Sequence, residues 1–127
     1  MNLDPFVRVD ETPFSTSREE IVKARGEPTR TCRNGVGLHE LDYDSVVYRF
    51  QDCGRLEEIT MQAPVVNIGD ASVPFAELAS FVRTSDPSAF EKAGFLITPK
   101  FGLAFDPGEP FWVTALAVHC LDSWRAL

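Results

Sequence analysis

A chain of 127 residues that is 44% hydrophobic and 24% charged is expected to fold as one domain, residues 1–127, around a single core, and its composition excludes an intrinsically disordered chain. No apolar run approaches the ~20 residues of a membrane span, so no membrane partner is expected. The formal net charge of −7 disfavours nucleic acid and anionic lipid and favours a basic protein as partner.

Residues 1–13 form an extended lead-in with an edge strand through Phe6, Val7 and Val9, ended by Asp10-Glu11-Thr12-Pro13. No basic segment leads into an apolar core there, so no export signal is expected. Three cysteines, Cys32, Cys53 and Cys120, cannot all pair within one chain, and reduced thiols in the cytoplasm are the expectation.

A short helix follows. Thr16 or Ser17 caps it, Glu19 or Glu20 completes a capping box, Lys23 and Arg25 complement the dipole, Gly26 ends it and Pro28 forbids continuation. Its apolar stripe of Ile21, Val22 and Ala24 is narrow, so its stability must come from packing on a sheet. Residues 29–34 read as a connection. A strand is expected over residues 36–43, with His39, Leu41 and Tyr43 on one face and Glu40 and Asp42 on the other.

Residues 46–61 spell two strands joined by a tight loop. Val46, Tyr48 and Phe50 alternate with Val47, Arg49 and Gln51 at the period of a half-buried strand. Gly54 is placed to take a positive φ in the loop. Ile59 and Met61 share a face that Leu56 does not, which predicts a bulge near Arg55.

The run Ser17, Glu20, Ile21, Gly26, Pro28, then Tyr48, Phe50, Asp52, Gly54, Leu56 and Ile59, resembles the helix-plus-hairpin unit of the beta-lactamase-inhibitor-protein-like (SmpA/OmlA-like) superfamily. The resemblance covers the first half and implies fold more firmly than function. Members are mainly binding proteins: protease- or lactamase-type inhibitors and envelope assembly lipoproteins. No lipoprotein signal or lipid-bearing cysteine opens this sequence, which argues against an assembly adaptor of the envelope.

The second half does not read as a clear repeat of the first. Residues 65–68 form a short strand, and Pro74 opens a helix whose face is Phe75, Leu78, Ala79 and Val82. A further short helix is expected over 88–93, then strands over 95–97, 101–105 and 111–117, and a terminal helix with Leu121 and Trp124 inward. The phrase 101–106, its proline turn and 112–116 resemble, loosely, small cytoplasmic immunity proteins of bacterial polymorphic-toxin and contact-dependent systems.

The expected fold class is α+β: an antiparallel sheet of five or six strands with helices packed mainly on one face. Two small sheet–helix layers sharing a core are the alternative.

Charge is concentrated at the centre. Residues 36–60 carry Glu40, Asp42, Asp44, Asp52, Glu57 and Glu58 against Arg49 and Arg55 alone. These six acids are the candidate partner-binding residues. The resemblance and the charge together imply an immunity protein that occludes the active site of a basic toxin.

An enzyme is not expected. His39, His119 and the cysteines supply no discernible nucleophile–base–orienter set, and His119 and Cys120, adjacent on a helix, should diverge by ~100°. A small-ligand or hydrolytic site between sheet and helix is the alternative function. No metal motif of paired cysteines or His-Glu-x-x-His is present, Glu40, Asp42 and Asp44 read as a solvated strand face, and no cofactor is expected. Phe105, Phe111 and Trp112 are candidates for an exposed apolar anchor, with core packing the expectation for each.

Overall fold

A computed structural model describes residues 1–35 and 37–127. In chain order the elements are β1 (Asn2–Asp4), β2 (Arg8–Val9), β3 (Thr12–Pro13), α1 (Arg18–Arg25), β4 (Arg30–Arg33), β5 (His39–Asp42), β6 (Val46–Phe50) and β7 (Leu56–Gln62). They continue with β8 (Val65–Ile68), β9 (Ala71–Pro74), α2 (Phe75–Ser85), β10 (Phe90–Lys92), β11 (Phe95–Thr98), β12 (Leu103–Phe105), β13 (Trp112–Leu116), a 3-10 turn (Val118–Cys120) and α3 (Leu121–Arg125). Val36, expected to begin the strand seen as β5, lies outside the described residues.

The strands form two sheets. One has eight strands in the order β10-β11-β12-β13-β7-β6-β5-β4, all neighbours antiparallel. The other has five, β3-β2-β1-β8-β9, with β1 and β8 parallel. The expected single sheet of five or six strands covered by helices is therefore corrected: the chain is mostly sheet, and among the described residues its helices are three and short. Two segments account for the extra strands. Residues 29–34, read as a connection, contain β4, an edge strand that arginines hold across β5. Residues 88–93, read as a helix, contain β10, which folds back on β11 through Ala93 and Gly94, both at positive φ.

Each half of the large sheet is a helix followed by a four-stranded meander, α1 with β4–β7 and α2 with β10–β13. The last strands of the halves meet at the centre, where Thr60 faces Thr114 and their hydroxyls lie 2.7 Å apart. The halves thus share a plan that their sequences conceal.

One face of this sheet is the core. Cross-strand pairing lines up Leu41, Tyr48, Ile59, Ala115, Leu103 and Thr98 in a single row, and all six are buried. Ile21 of α1, Leu78 and Val82 of α2, and Leu3, Val9, Val66, Ile68 and Val73 of the small sheet close over the same core. The opposite face changes character from end to end. Ile97, Ala104 and Leu116 are buried under Cys120, Leu121 and Trp124 of the C-terminal segment, whereas β4 to β6 present polar side chains.

Several local expectations hold in detail. Ser17 and Glu20 form the capping box, and Gly26 caps the C-terminus of α1 at φ 82°. Gly54 sits in its loop at φ 90°, with its N–H donating to the Gln51 carbonyl at 2.8 Å. Replacing Gly54 with Val is expected to cost about 1–3 kcal/mol through backbone strain alone, since an added Cβ meets no atom within 4 Å. Urea unfolding measures it, and a loss within about 0.5 kcal/mol, the range of a neutral surface change, would show that the loop relaxes freely.

Candidate functional site

The bulge of the central hairpin makes the site. Arg49 faces Glu58 and Phe50 faces Leu56, so Glu57 is the extra residue. Alternation alone would send Glu57 and Glu58 to opposite faces. The bulge instead keeps Leu56 and Ile59 buried in the core while both carboxylates line a cavity on the other face.

That cavity has a volume of about 330 Å³ and lies between the polar half of the sheet and the C-terminal segment. Glu40, Arg49 and Glu58 form its floor, Phe95 and Trp124 an aromatic wall, and Glu57 and Cys120 its inner end. Register explains the floor, because Cys32, Glu40, Arg49, Glu58 and Leu116 are successive cross-strand neighbours. Arg49 donates to Glu40 at 2.6 Å, to Glu58 at 3.3 Å and to the Thr60 hydroxyl at 2.6 Å. Trp124 Nε1 donates to the other Glu58 oxygen at 3.0 Å.

These surroundings separate the two carboxylates electrostatically. Burial raises the pKa of Glu58 above the ordinary carboxylate range, only partly opposed by Arg49 and Trp124. Glu40 is also penalised by burial, but the hydrogen bonds from Arg49 and the Cys32 thiol hold it below that range. One arginine therefore serves two acids, and Glu58 is the undercompensated one.

The remaining acids are placed elsewhere. Asp42 and Asp44 share Arg30, each at 2.9 Å, and Asp42 is lowered first by the Asp44 backbone N–H and then by Arg30. Asp52 accepts from Arg33 at 2.8 Å and lies 2.8 Å from the His39 ring, which together lower its pKa. Glu57 is only 2% exposed, held by Arg55 through Oε1 at 2.9 Å. The six predicted residues thus do not make one continuous acidic face: Glu40, Glu57 and Glu58 line the cavity, Asp42 and Asp44 border its sheet, and Asp52 stands at the hairpin tip.

Sequence reasoning set His119 and Cys120 aside as diverging neighbours. In the structure both reach Glu57. Cys120 Sγ donates to Glu57 Oε2 at 2.7 Å, and His119 Nε2 stands against the same oxygen. The 3-10 turn is anchored over the bulge by the Ala117 N–H, which donates to the Glu57 carbonyl at 2.9 Å. Burial first, and the Glu57 carboxylate second, push the Cys120 thiol far above the ordinary thiol range. All three cysteines are free thiols. Of the aromatic candidates, Phe105 is core, Trp112 is half-buried, and Phe111 is 47% exposed at φ 72° with its edge on Phe75.

Among the described residues no helix is long and apolar enough to cross a membrane. The chain matches no family model, no curated protein and no solved structure.

Proposed function

We propose that this protein is a cytoplasmic binding protein that neutralises a basic partner, an immunity protein against a bacterial toxin. The observation that carries the reading is the cavity between the polar half of the large sheet and the C-terminal segment, where Glu40, Glu57 and Glu58 outnumber Arg49 beside an aromatic wall. A lysine or arginine of the partner would enter there, pair with Glu58 and pack its stem on Trp124. The flanking polar strands β4–β6 would form the rim. The resemblance of the first half to inhibitor-type helix-plus-hairpin units supports the same reading.

The test begins with the product of the reading frame next to the gene. Its expression is expected to arrest cells, and co-expression of this chain to rescue them. Binding should then weaken at least about tenfold in Glu40→Gln/Glu58→Gln, mainly through faster dissociation. Asp70→Asn, at an exposed turn, should bind like wild type because screening confines charge effects to about 8 Å. Affinity should also rise with pH as Glu58 loses its proton. Unchanged rescue and rates in the double variant would remove the cavity from the interface.

A second reading, a small-ligand site between sheet and helix, is favoured by the same cavity. Burial and the Glu57 carboxylate raise the Cys120 thiol, which disfavours a thiolate nucleophile there.

A further inference from the structure

The structure assigns a transition-metal site to Glu57, His119 and Cys120, three donors of different chemistry brought together from the hairpin bulge and the 3-10 turn. We propose that it binds a borderline divalent cation of the zinc class through Oε2, Nε2 and Sγ, with the fourth position open to the cavity.

Four observations carry this. The three donor atoms lie within 4.8 Å of one another, a spread that small rotamer changes bring to the ligand distances of about 2.0–2.3 Å seen around zinc. His119 Nε2 is buried and makes no hydrogen bond, although it stands against Glu57 Oε2. In the tautomer with its proton on Nδ1, that nitrogen offers a lone pair to a cation. Arg55 occupies only Oε1 of Glu57, which orients the carboxylate and leaves Oε2 facing the thiol and the imidazole, as outer partners of metal ligands do. Finally, Glu57 and Cys120 both line the cavity, which supplies an entry path and room for a water as fourth ligand. One sulfur, one nitrogen and one oxygen donor favour zinc-class ions over calcium or magnesium, which take oxygen ligands.

Binding balances simply. The Cys120 S–H bond breaks, its proton leaves to solvent, and the sulfur lone pair forms the metal bond. The imidazole donates through Nε2 and the carboxylate through Oε2. Affinity should therefore rise with pH, because thiolate ligation releases a proton. The metal would fasten the C-terminal segment, and with it the Trp124 wall, to the sheet.

Cobalt(II) and zinc(II) titrations of the full chain carrying Cys32→Ser and Cys53→Ser, which leaves Cys120 as the one thiol, test the site directly. One equivalent of cobalt should bind, giving a thiolate-to-metal charge-transfer band and tetrahedral d–d intensity, and zinc should displace it. Cys120→Ser should abolish the band, His119→Ala should weaken binding at least tenfold, and Arg55→Ala should weaken it less. Circular dichroism establishes that each variant is folded. No charge-transfer band in the folded parent chain would overturn the site whatever the variants do. A band indifferent to His119→Ala would overturn the ligand set.

Discussion

Phe105→Ala is expected to cost about 3–5 kcal/mol, the range for a fully buried phenylalanine. Phe105 is 1% exposed, at the end of β12 opposite Leu96, with Phe75 of α2 packed edge-on at 6.0 Å. Truncation would leave a cavity where the helix, the large sheet and the residues behind them meet, and the rigid strands on either side could not collapse into it. Leu41 and Leu96 occupy matching places, each on the third strand in from the central seam of its own half and each paired with a buried aromatic, Tyr48 or Phe105. Leu41→Ala and Leu96→Ala should therefore each cost about 2–5 kcal/mol and shift the same urea transition. Two separate transitions, or a Phe105→Ala loss below about 1 kcal/mol, would mean that the halves unfold independently across the Thr60–Thr114 seam.

Much of the first half was legible because local physics decides it. Ser17, Glu20 and Gly26 mark the ends of α1 by satisfying orphan backbone groups, and Gly54 marks the loop by the φ it must adopt. A bulge was legible because alternation parts Leu56 from Ile59 and Met61; expected near Arg55, it lies two residues on, at Glu57, which leaves Leu56 and Ile59 on the same buried face. What escaped is stabilised from a distance. In β4 all four residues are exposed, so no apolar period announces it; Arg30 and Cys32 gain their partners only when Asp42 and Glu40 lie opposite. β10 hides behind Asp86-Pro87, a pair that equally well opens a helix. The common plan of the halves appears only in the pairing of β7 with β13, which no local window contains.

The site was half legible for the same reason. Its acids stood out as a charge excess, yet Arg49, lying between Glu40 and Glu58 across the strands, turns two of them into a cross-strand triad and leaves Glu58 undercompensated. Glu57 looked like one more surface acid; the bulge buries it. The convergence of His119 and Cys120 on that carboxylate joins residues far apart in sequence: neighbours in a 3-10 turn still diverge by about 120°, but the Ala117 N–H bond to the Glu57 carbonyl seats the turn so close over the bulge that both side chains reach the one carboxylate. A signal was present in the sequence: a His-Cys pair following a buried strand, with acids clustered on the strand that pairs with it.

Asp86 carries the second large effect, and it concerns acid stability. It ends α2 and is 3% exposed, a charged group that would be costly there without partners. Its Oδ1 accepts from the Ser88 N–H at 2.9 Å and the Ser88 hydroxyl at 2.5 Å, and its Oδ2 from the Thr98 hydroxyl at 2.6 Å and the Lys100 N–H at 3.0 Å. Burial alone would raise its pKa; the bonds from Ser88, Thr98 and Lys100 outweigh it and lower the value from 3.8 to about 2. Because the folded-state pKa is depressed, the stabilisation is fully present above the unfolded value of 3.8 and is lost as pH falls through about 2. That difference corresponds to about 2 kcal/mol at neutral pH. Asp86→Ala should cost more, about 2–4 kcal/mol, since it also strands the buried Thr98 hydroxyl and the Lys100 N–H without an acceptor. Asp86→Asn keeps an acceptor oxygen but brings an NH₂ group against donors, and should fall between alanine and wild type. Urea unfolding at a series of pH values separates the contributions. Wild type should lose stability between about pH 4 and pH 2 more steeply than Asp86→Asn, whose curve lacks this group's titration. Parallel curves for the two proteins would show that folding leaves the Asp86 pKa unchanged and that the clasp joining α2 to β11 contributes no charge-dependent stability.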